Sequence, residues 1–372
     1  MYPTVKFSPK DPANFYRLLR KRVNGYFKEN NIKKTGNAKM YVKTAIILMM
    51  FFVPYFVMLS QVFPDWVAIL CYLVMGAGMA SIGLSIMHDA NHGAYSEKKW
   101  VNELMSYTIN LVGGSAFTWR IQHNLMHHSY TNIYELDEDI EDKPFLRLSP
   151  YGKYRKYHRY QHIYAAFLYC LATVSWVLNK DFDQTLEYKK SGITEKQGYN
   201  HRREMSILII SKLVYWFYIL ALPIMLGVAW WAVVVGFLAM HFVAGLYITI
   251  VFQLAHVVEG PEHFKASQDE GNLENTWAIH QLKTTANFAP TNKLITWLVG
   301  GLNFQVEHHL FPNICHVHYK HLYKIVQQTA EECGLPYHIY PHFRQAVASH
   351  FRSLKALGQE PKPERELVRE HE

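Results

Sequence analysis

LVYWFYILALPIMLGVAWWAVVVGFLAMHFVAGLYITIVFQLAHVV, residues 213–258, contains no Lys, Arg, Asp or Glu. A helix needs roughly 20 apolar residues to cross a bilayer, and this run is about twice that long. It reads as a helical hairpin broken around Pro223 to Gly227, with spans near residues 206–226 and 228–251. A second stretch repeats the pattern. From Thr44 to Met87 the one charged residue is Asp65, and Phe63-Pro64-Asp65 divides the run into spans near 44–63 and 66–87.

Working outward, the whole chain of 372 residues is 50% hydrophobic and only 18% charged, too thin a charge for a soluble surface. A disordered or fibrous chain is excluded. So is a secreted disulfide scaffold, because Cys71, Cys170, Cys315 and Cys333 are scattered and form no CxxC pair; they read as reduced, structural thiols. The net charge of +8 comes without a nucleic-acid motif, and anionic lipid explains it.

Residues 1–43 hold eleven Lys or Arg against Asp11 and Glu29, whereas the hairpin turns hold no basic residue. The excess of basic residues on one side puts both termini in the cytoplasm. The first hydrophobic run starts too late for a signal peptide. Two shorter apolar stretches, Leu104 to Phe117 and Ile163 to Leu178, fall below spanning length and read as amphipathic helices in the interface. The fold expected is therefore an all-α integral membrane protein, with four transmembrane helices in two hairpins, interfacial helices and a cytoplasmic helical cap. The tail from about Gln359 reads as frayed.

The 21 histidines cluster. His88-Asp-Ala-Asn-His92 stands at the end of the second span, where an i, i+4 pair shares one helix face. His123-Asn-Leu-Met-His127-His128 repeats that spacing with a third histidine beside it, and Gln305-Val-Glu-His308-His309 follows the fourth span, which itself ends near His256. One such pair is weak evidence for a metal. Three clusters on one side of a membrane are strong evidence, and eight imidazoles (His88, His92, His123, His127, His128, His256, His308 and His309) exceed what one ion uses and suffice for two. A structural zinc site would call for partnered cysteines, which are missing.

HDANH, HNLMHH and QVEHH within GGLNFQVEHHLFP resemble the three histidine boxes of the membrane-bound fatty acid desaturases, at the usual distances and from about Met79 to Tyr323. The resemblance implies a desaturase domain over 44–330, between the basic N-terminal segment 1–43 and a cytoplasmic C-terminal segment 331–372. It implies two non-haem iron ions on the cytoplasmic side, held by the box histidines named above, with His256 as the additional ligand between the fourth span and the third box. Gln305, in place of the third box's first histidine, is similar to the front-end desaturases, which insert a double bond between an existing one and the carboxyl end. A position that carries Asn in related stearoyl-CoA enzymes is Phe252 here.

The reaction implied is O2-dependent removal of two hydrogens from a fatty acyl chain, carried as acyl-CoA or as acyl-phospholipid. Residues 1–43 are too short for the cytochrome domain fused to many front-end enzymes, so the electron donor expected is a separate ferredoxin or small cytochrome with its reductase. A bacterial inner membrane is favoured over the endoplasmic reticulum. Asp89 and Glu307, then Asp137 and Asp139, stand near enough in sequence to hold the second nitrogens of ligand imidazoles, although the run Glu135 to Asp142 as a whole reads as a solvated loop. Arg147, Lys153, Arg155, Lys156 and Arg159, interleaved with tyrosines, suit either a phosphate-bearing head group or interfacial anchoring. His241, deep in the fourth span, reads as a packed, hydrogen-bonded residue. Two rival functions share parts of this pattern: a di-iron hydroxylase of acyl chains or lipids, and a membrane carrier of haem or metal.

Overall fold

The computed structural model describes residues 5–11, 14–266 and 272–361; most of the tail expected to fray lies outside them. Four helices are long and apolar enough to cross a membrane: Ala38–Leu59, Trp66–Asn91, His201–Met225 and Trp230–His256. Two of them begin earlier than their hydrophobicity suggests, because polar caps start them. Asn37 Oδ1 accepts from Lys39 N at 3.0 Å, and Asn200 Oδ1 accepts from Arg203 N at 3.1 Å, each satisfying a backbone donor of the first turn. The first helix stops at Leu59, four residues short of the expected end, and Gln61 beyond it takes a φ of 53°.

The second and fourth spans pack most closely. A Cβ on Gly76 would stand 2.5 Å from the Met240 carbonyl oxygen, so only glycine permits that approach. On the outside of the spans, Val53, Phe56, Ile210, Leu213, Phe217 and Trp230 are exposed. That much apolar surface suits lipid rather than water as its solvent, and the protein is a membrane protein.

The two shorter apolar stretches differ from expectation. Leu104 to Phe117 is not one amphipathic helix. It falls across Lys99–Ser106, Thr108–Leu111 and Ala116–Trp119, with Gly113 at φ 87° between the last two and the Asn110 side chain accepting from Ala116 N at 3.0 Å. Ile163 to Leu178 lies in the pair Lys156–Cys170 and Ala172–Lys190, bent by 52°, which together are long and apolar enough for a broken span or a re-entrant loop.

A second core stands apart from the spans. Phe15, Leu19, Val23 and Phe27 of the helix Phe15–Glu29 pack with Ile279 and Leu282, with Val306 and Leu310, and with Leu322 and Val326 of the helix Tyr319–Glu332. The third histidine box, on the helix Gln305–Leu310, is thus backed by a cap. Among the described residues strands are short and pair in parallel, the longest pair being Ala286–Phe288 with His338–Tyr340.

Candidate metal centre

The second span turns from α- to π-helical hydrogen bonding over Ile82–Met87, just before His88, and the second box lies in another π-helical segment, Arg120–His127. An i→i+5 helix is wound more widely than an α-helix, and here the rings of His123 and His127 stack, centroids 5.3 Å apart. The two share a face as the spacing suggests, but their nitrogens join different groups. His123 Nε2 lies 3.2 Å from His128 Nε2, whereas His127 brings a nitrogen together with those of His256 and His309.

Two groups of imidazoles result. His88, His92, His123 and His308 bring one nitrogen each within 4.8 Å of one another, and so do His127, His256 and His309. His128 stands between them, its ring centroid 4.5 Å from those of both His308 and His309, with its Nε2 2.9 Å from His308 Nε2. All eight histidines taken from the sequence are thus in one place.

In the second group each ring is held through Nδ1. Asp137 Oδ2 lies 3.0 Å from that of His127, the Thr284 carbonyl 3.2 Å from that of His256, and Gln281 Oε1 2.8 Å from that of His309. The three Nε2 atoms are buried and have no hydrogen-bond partner. An unpartnered buried nitrogen is costly unless something else satisfies it, and this arrangement of fixed ring and free lone pair is that of a metal ligand. Phe252 packs its ring 4.8 Å from His127 and 5.1 Å from His256. Burial first, and neighbouring imidazoles second, hold the pKa values of His123, His128, His308 and His309 well below the ordinary value. They stay neutral, the form that binds a metal. At His127 burial is the largest single cause and acts in the same direction, but the charge and hydrogen bond of Asp137 together with the Asp139 charge outweigh it and raise the pKa.

The acidic neighbours divide. Asp137 is fully buried against His127, so the run Glu135 to Asp142 is not simply a solvated loop; Asp139 lies 3.7 Å from the same nitrogen. Glu307 does not hold an imidazole. Its carboxylate accepts from Asn287 Nδ2 at 2.8 Å and Tyr337 OH at 2.9 Å, and burial pushes its pKa up to about 7. Asp89 turns away from His88, 3.9 Å from its Nδ1, and faces His316 Nδ1 at 2.8 Å and Cys315 Sγ at 2.9 Å; Lys43 Nζ completes that buried cluster, 3.0 Å from His316 Nε2.

A cavity of about 550 Å³ adjoins the first imidazole group. Met79, Leu84, Ile248 and Val251 give it apolar walls from the second and fourth spans, His88, His123 and Gln305 line it at the metal end, and Glu138, Asp139 and Lys180 line a polar part. Its aromatic lining comes from Trp119, Tyr169, Trp176 and Phe252 rather than from the tyrosines and tryptophans of the hairpins.

The basic segment separates as well. Arg147 is buried and gives its guanidinium to the carbonyls of Gly152 (2.7 Å), Leu357 (2.7 Å) and Pro150, which commits it to the fold rather than to a head group. Lys153, Arg155, Lys156 and Arg159 are exposed. His241 is packed as expected, bonded to Tyr215 OH at 2.7 Å and Thr173 Oγ1 at 3.1 Å. Sequence reasoning missed Gln281, which orients His309, and Tyr319, whose hydroxyl lies 3.2 Å from His308 Nδ1. Neither carries a motif, since each meets its histidine only through the fold.

A model of the family described as fatty acid desaturase matches residues 64–341. The sn-1 linoleoyl-lipid 6-desaturase of Synechocystis sp. is 36% identical over 95% of this chain and 98% of its own. The sn-1 linoleoyl-lipid 6-desaturase of Arthrospira platensis is 37% identical over 96% of each chain. The acyl-lipid (8-3)-desaturase of Physcomitrium patens is 34% identical over 95% of this chain and 74% of its own. With three-quarters of its length inside the family's extent and its imidazoles gathered beside an apolar cavity, the chain belongs to the fatty acid desaturase family.

Proposed function

We propose that this enzyme inserts a double bond into an acyl chain of a membrane lipid, between an existing double bond and the carboxyl end, at a centre of two irons. It is a fatty acid desaturase of a family that uses iron. The observation that carries the finer reading is the pair of imidazole groups, one fixed and one facing the cavity. Imidazole suits iron, and the unpartnered Nε2 atoms of His127, His256 and His309 fit a metal there, as His88, His92, His123, His128 and His308 fit a second. The names of the Synechocystis and Arthrospira relatives support a lipid-bound rather than a CoA-bound chain and a bacterial membrane.

The iron supplies the O2-derived oxidant that side chains lack. The chemistry balances when two hydrogens leave adjacent carbons, two electrons and two protons are added, and O2 leaves as two waters. The chain's own residues position and protect. Met79, Leu84, Ile248 and Val251 give a saturated chain a dry wall, and His88, His123 and Gln305 mark where it meets the metal. Gln305 has the reach to hold substrate or water by its amide. Asp137, Gln281 and the Thr284 carbonyl keep three rings aimed.

The four spans form two hairpins in this reading, with both termini and the metal centre on the cytoplasmic face and a desaturase domain over 44–330. Lys153, Arg155, Lys156 and Arg159 contact head groups at the interface. Lipid analysis of a host expressing the chain and fed linoleic acid tests the function: a new double bond on the carboxyl side is expected. A hydroxylated product, or none, defeats the reading.

A further inference from the structure

Charge on the surface is distributed in two ways. Around residues 145–167 the exposed cations Lys153, Arg155, Lys156 and Arg159 alternate with exposed Phe145, Tyr157, Tyr160, Ile163 and Phe167. Cations mixed with aromatic and aliphatic side chains suit a lipid interface. The cap is different. The helix Phe15–Glu29 buries Phe15, Leu19, Val23 and Phe27 and exposes Arg17, Arg20, Lys21 and Lys28 on the opposite side. Positions 17, 20, 21 and 28 fall on one helical stripe. The helix Tyr319–Glu332 beside it adds exposed Lys320 and Lys324. No large hydrophobic residue on either helix is among the exposed ones. Their acids are Glu29, Glu331 and Glu332, and Arg22 neutralises Glu332 at 2.5 Å.

This surface lies over the metal centre. Tyr26 stacks on His321, ring centroids 6.1 Å apart, which brings the C-terminal end of one helix against the N-terminal end of the other. There, buried Tyr319 reaches inward to His308 Nδ1 while its neighbour Lys320 faces out. Cations without apolar companions attract a charged partner at long range and give it little to insert into, which favours a protein that docks and leaves over a lipid surface.

We propose that the cationic face of these two helices docks a small acidic one-electron carrier, an iron–sulfur or haem protein with a carboxylate-rich surface. What the electrons do rests on the desaturase reading. Each docked carrier is oxidised by one electron and departs, and two visits supply the two electrons that, with two protons and the two hydrogens of the acyl chain, turn O2 into two waters.

The test uses the iron-loaded enzyme in lipid nanodiscs and an acidic [2Fe–2S] ferredoxin as the probe. Binding is read by fluorescence anisotropy of the labelled ferredoxin, and turnover is read separately with its reductase and with dithionite. R17E/R20E/K21E and K28E/K320E/K324E are each expected to weaken binding about tenfold or more, with iron content and dithionite-driven product unchanged. K189E/K190E, a reversal at the exposed end of another helix, is expected to leave binding as it is. Equal binding by the cap variants and the parent overturns the proposal, as does an equal loss in K189E/K190E. A loss seen only in discs containing anionic lipid overturns it too, and assigns the stripe to the membrane. On the unaltered protein, binding that does not weaken between about 20 and about 300 mM salt has the same meaning. Absence of dithionite-driven product in the parent would count against the desaturase reading alone, because binding is read without catalysis.

Discussion

The two imidazole groups are built to different tolerances. His127, His256 and His309 each commit Nδ1 to a carboxylate, a backbone carbonyl or an amide oxygen, on elements fixed by buried packing. In the other group neither ring nitrogen of His88 has a hydrogen-bond partner, and the Nε2 atoms of His123 and His128 meet other imidazoles. Tyr319, on His308, is the one side-chain anchor outside the rings that the described residues give this group through Nδ1. It is also the group that meets the cavity. One group is thus rigidly aimed, while the other, next to the cavity, is held by the number of its rings more than by their anchoring.

Four experiments can break or sharpen that contrast. The largest effect is expected from removing ligands: His127→Ala and His308→Ala each abolish product, yet both proteins still accumulate in the membrane, because span hydrophobicity drives insertion. Their iron contents should differ. Losing one ring of three empties a position, whereas the group containing His308 keeps three others with His128 beside them, so metal analysis should find less iron in His127→Ala. Equal iron in the two variants would erase the distinction.

Asp137→Asn tests the anchoring itself. It keeps the size of the side chain but removes the charge facing His127, and a drop in activity of about tenfold to a hundredfold is expected, the usual cost of losing the partner of a ligand imidazole. Wild-type turnover in this variant would show that the buried carboxylate is not what fixes His127.

Gln305 belongs to the cavity side. Gln305→His should keep iron and lose most activity, since a strong ligand would fill a position that substrate or O2 needs. Gln305→Ala should lose less, through positioning alone. Kinetics and metal content together decide, and an alanine variant as active as the parent removes Gln305 from the site. The smallest effect is expected from Tyr319→Phe, about two- to tenfold in rate, the kinetic equivalent of a net hydrogen bond worth ~0.5–1.5 kcal/mol. A loss as deep as that of Asp137→Asn would mean that the two groups are anchored alike.

Much of this architecture is legible in the chain because its causes are local. Uncharged runs mark the four membrane-length helices, and box spacing marks seven of the eight histidines. What is not legible depends on distant contacts. Gln281 reaches His309 from 28 positions away, and Lys43 meets His316 from 273 away. Arg147 looks like a surface cation until the carbonyls of Gly152 and Leu357 enclose it. Glu307 sits beside a ligand in sequence, yet on a short helix adjacent residues point about 100° apart, so it faces Asn287 and Tyr337 instead. The division of His123 from His127 was hidden because it depends on which distant imidazoles each meets, in a segment wound more widely than an α-helix.

That wider winding makes the boxes sensitive to length rather than to composition. A π turn is an α-helix carrying one surplus residue, and it relaxes readily if the surplus is deleted. Removing a residue instead from Trp66–Ser81, the α-helical stretch before Ile82–Met87, would leave an equally apolar span yet rotate everything beyond it by about 100°. His88 and His92 would then turn away from His308 while the protein remained inserted and folded. Insertions and deletions that most transmembrane helices absorb would here act as a phase error, so the tolerated lengths of these two segments are part of the catalytic specification.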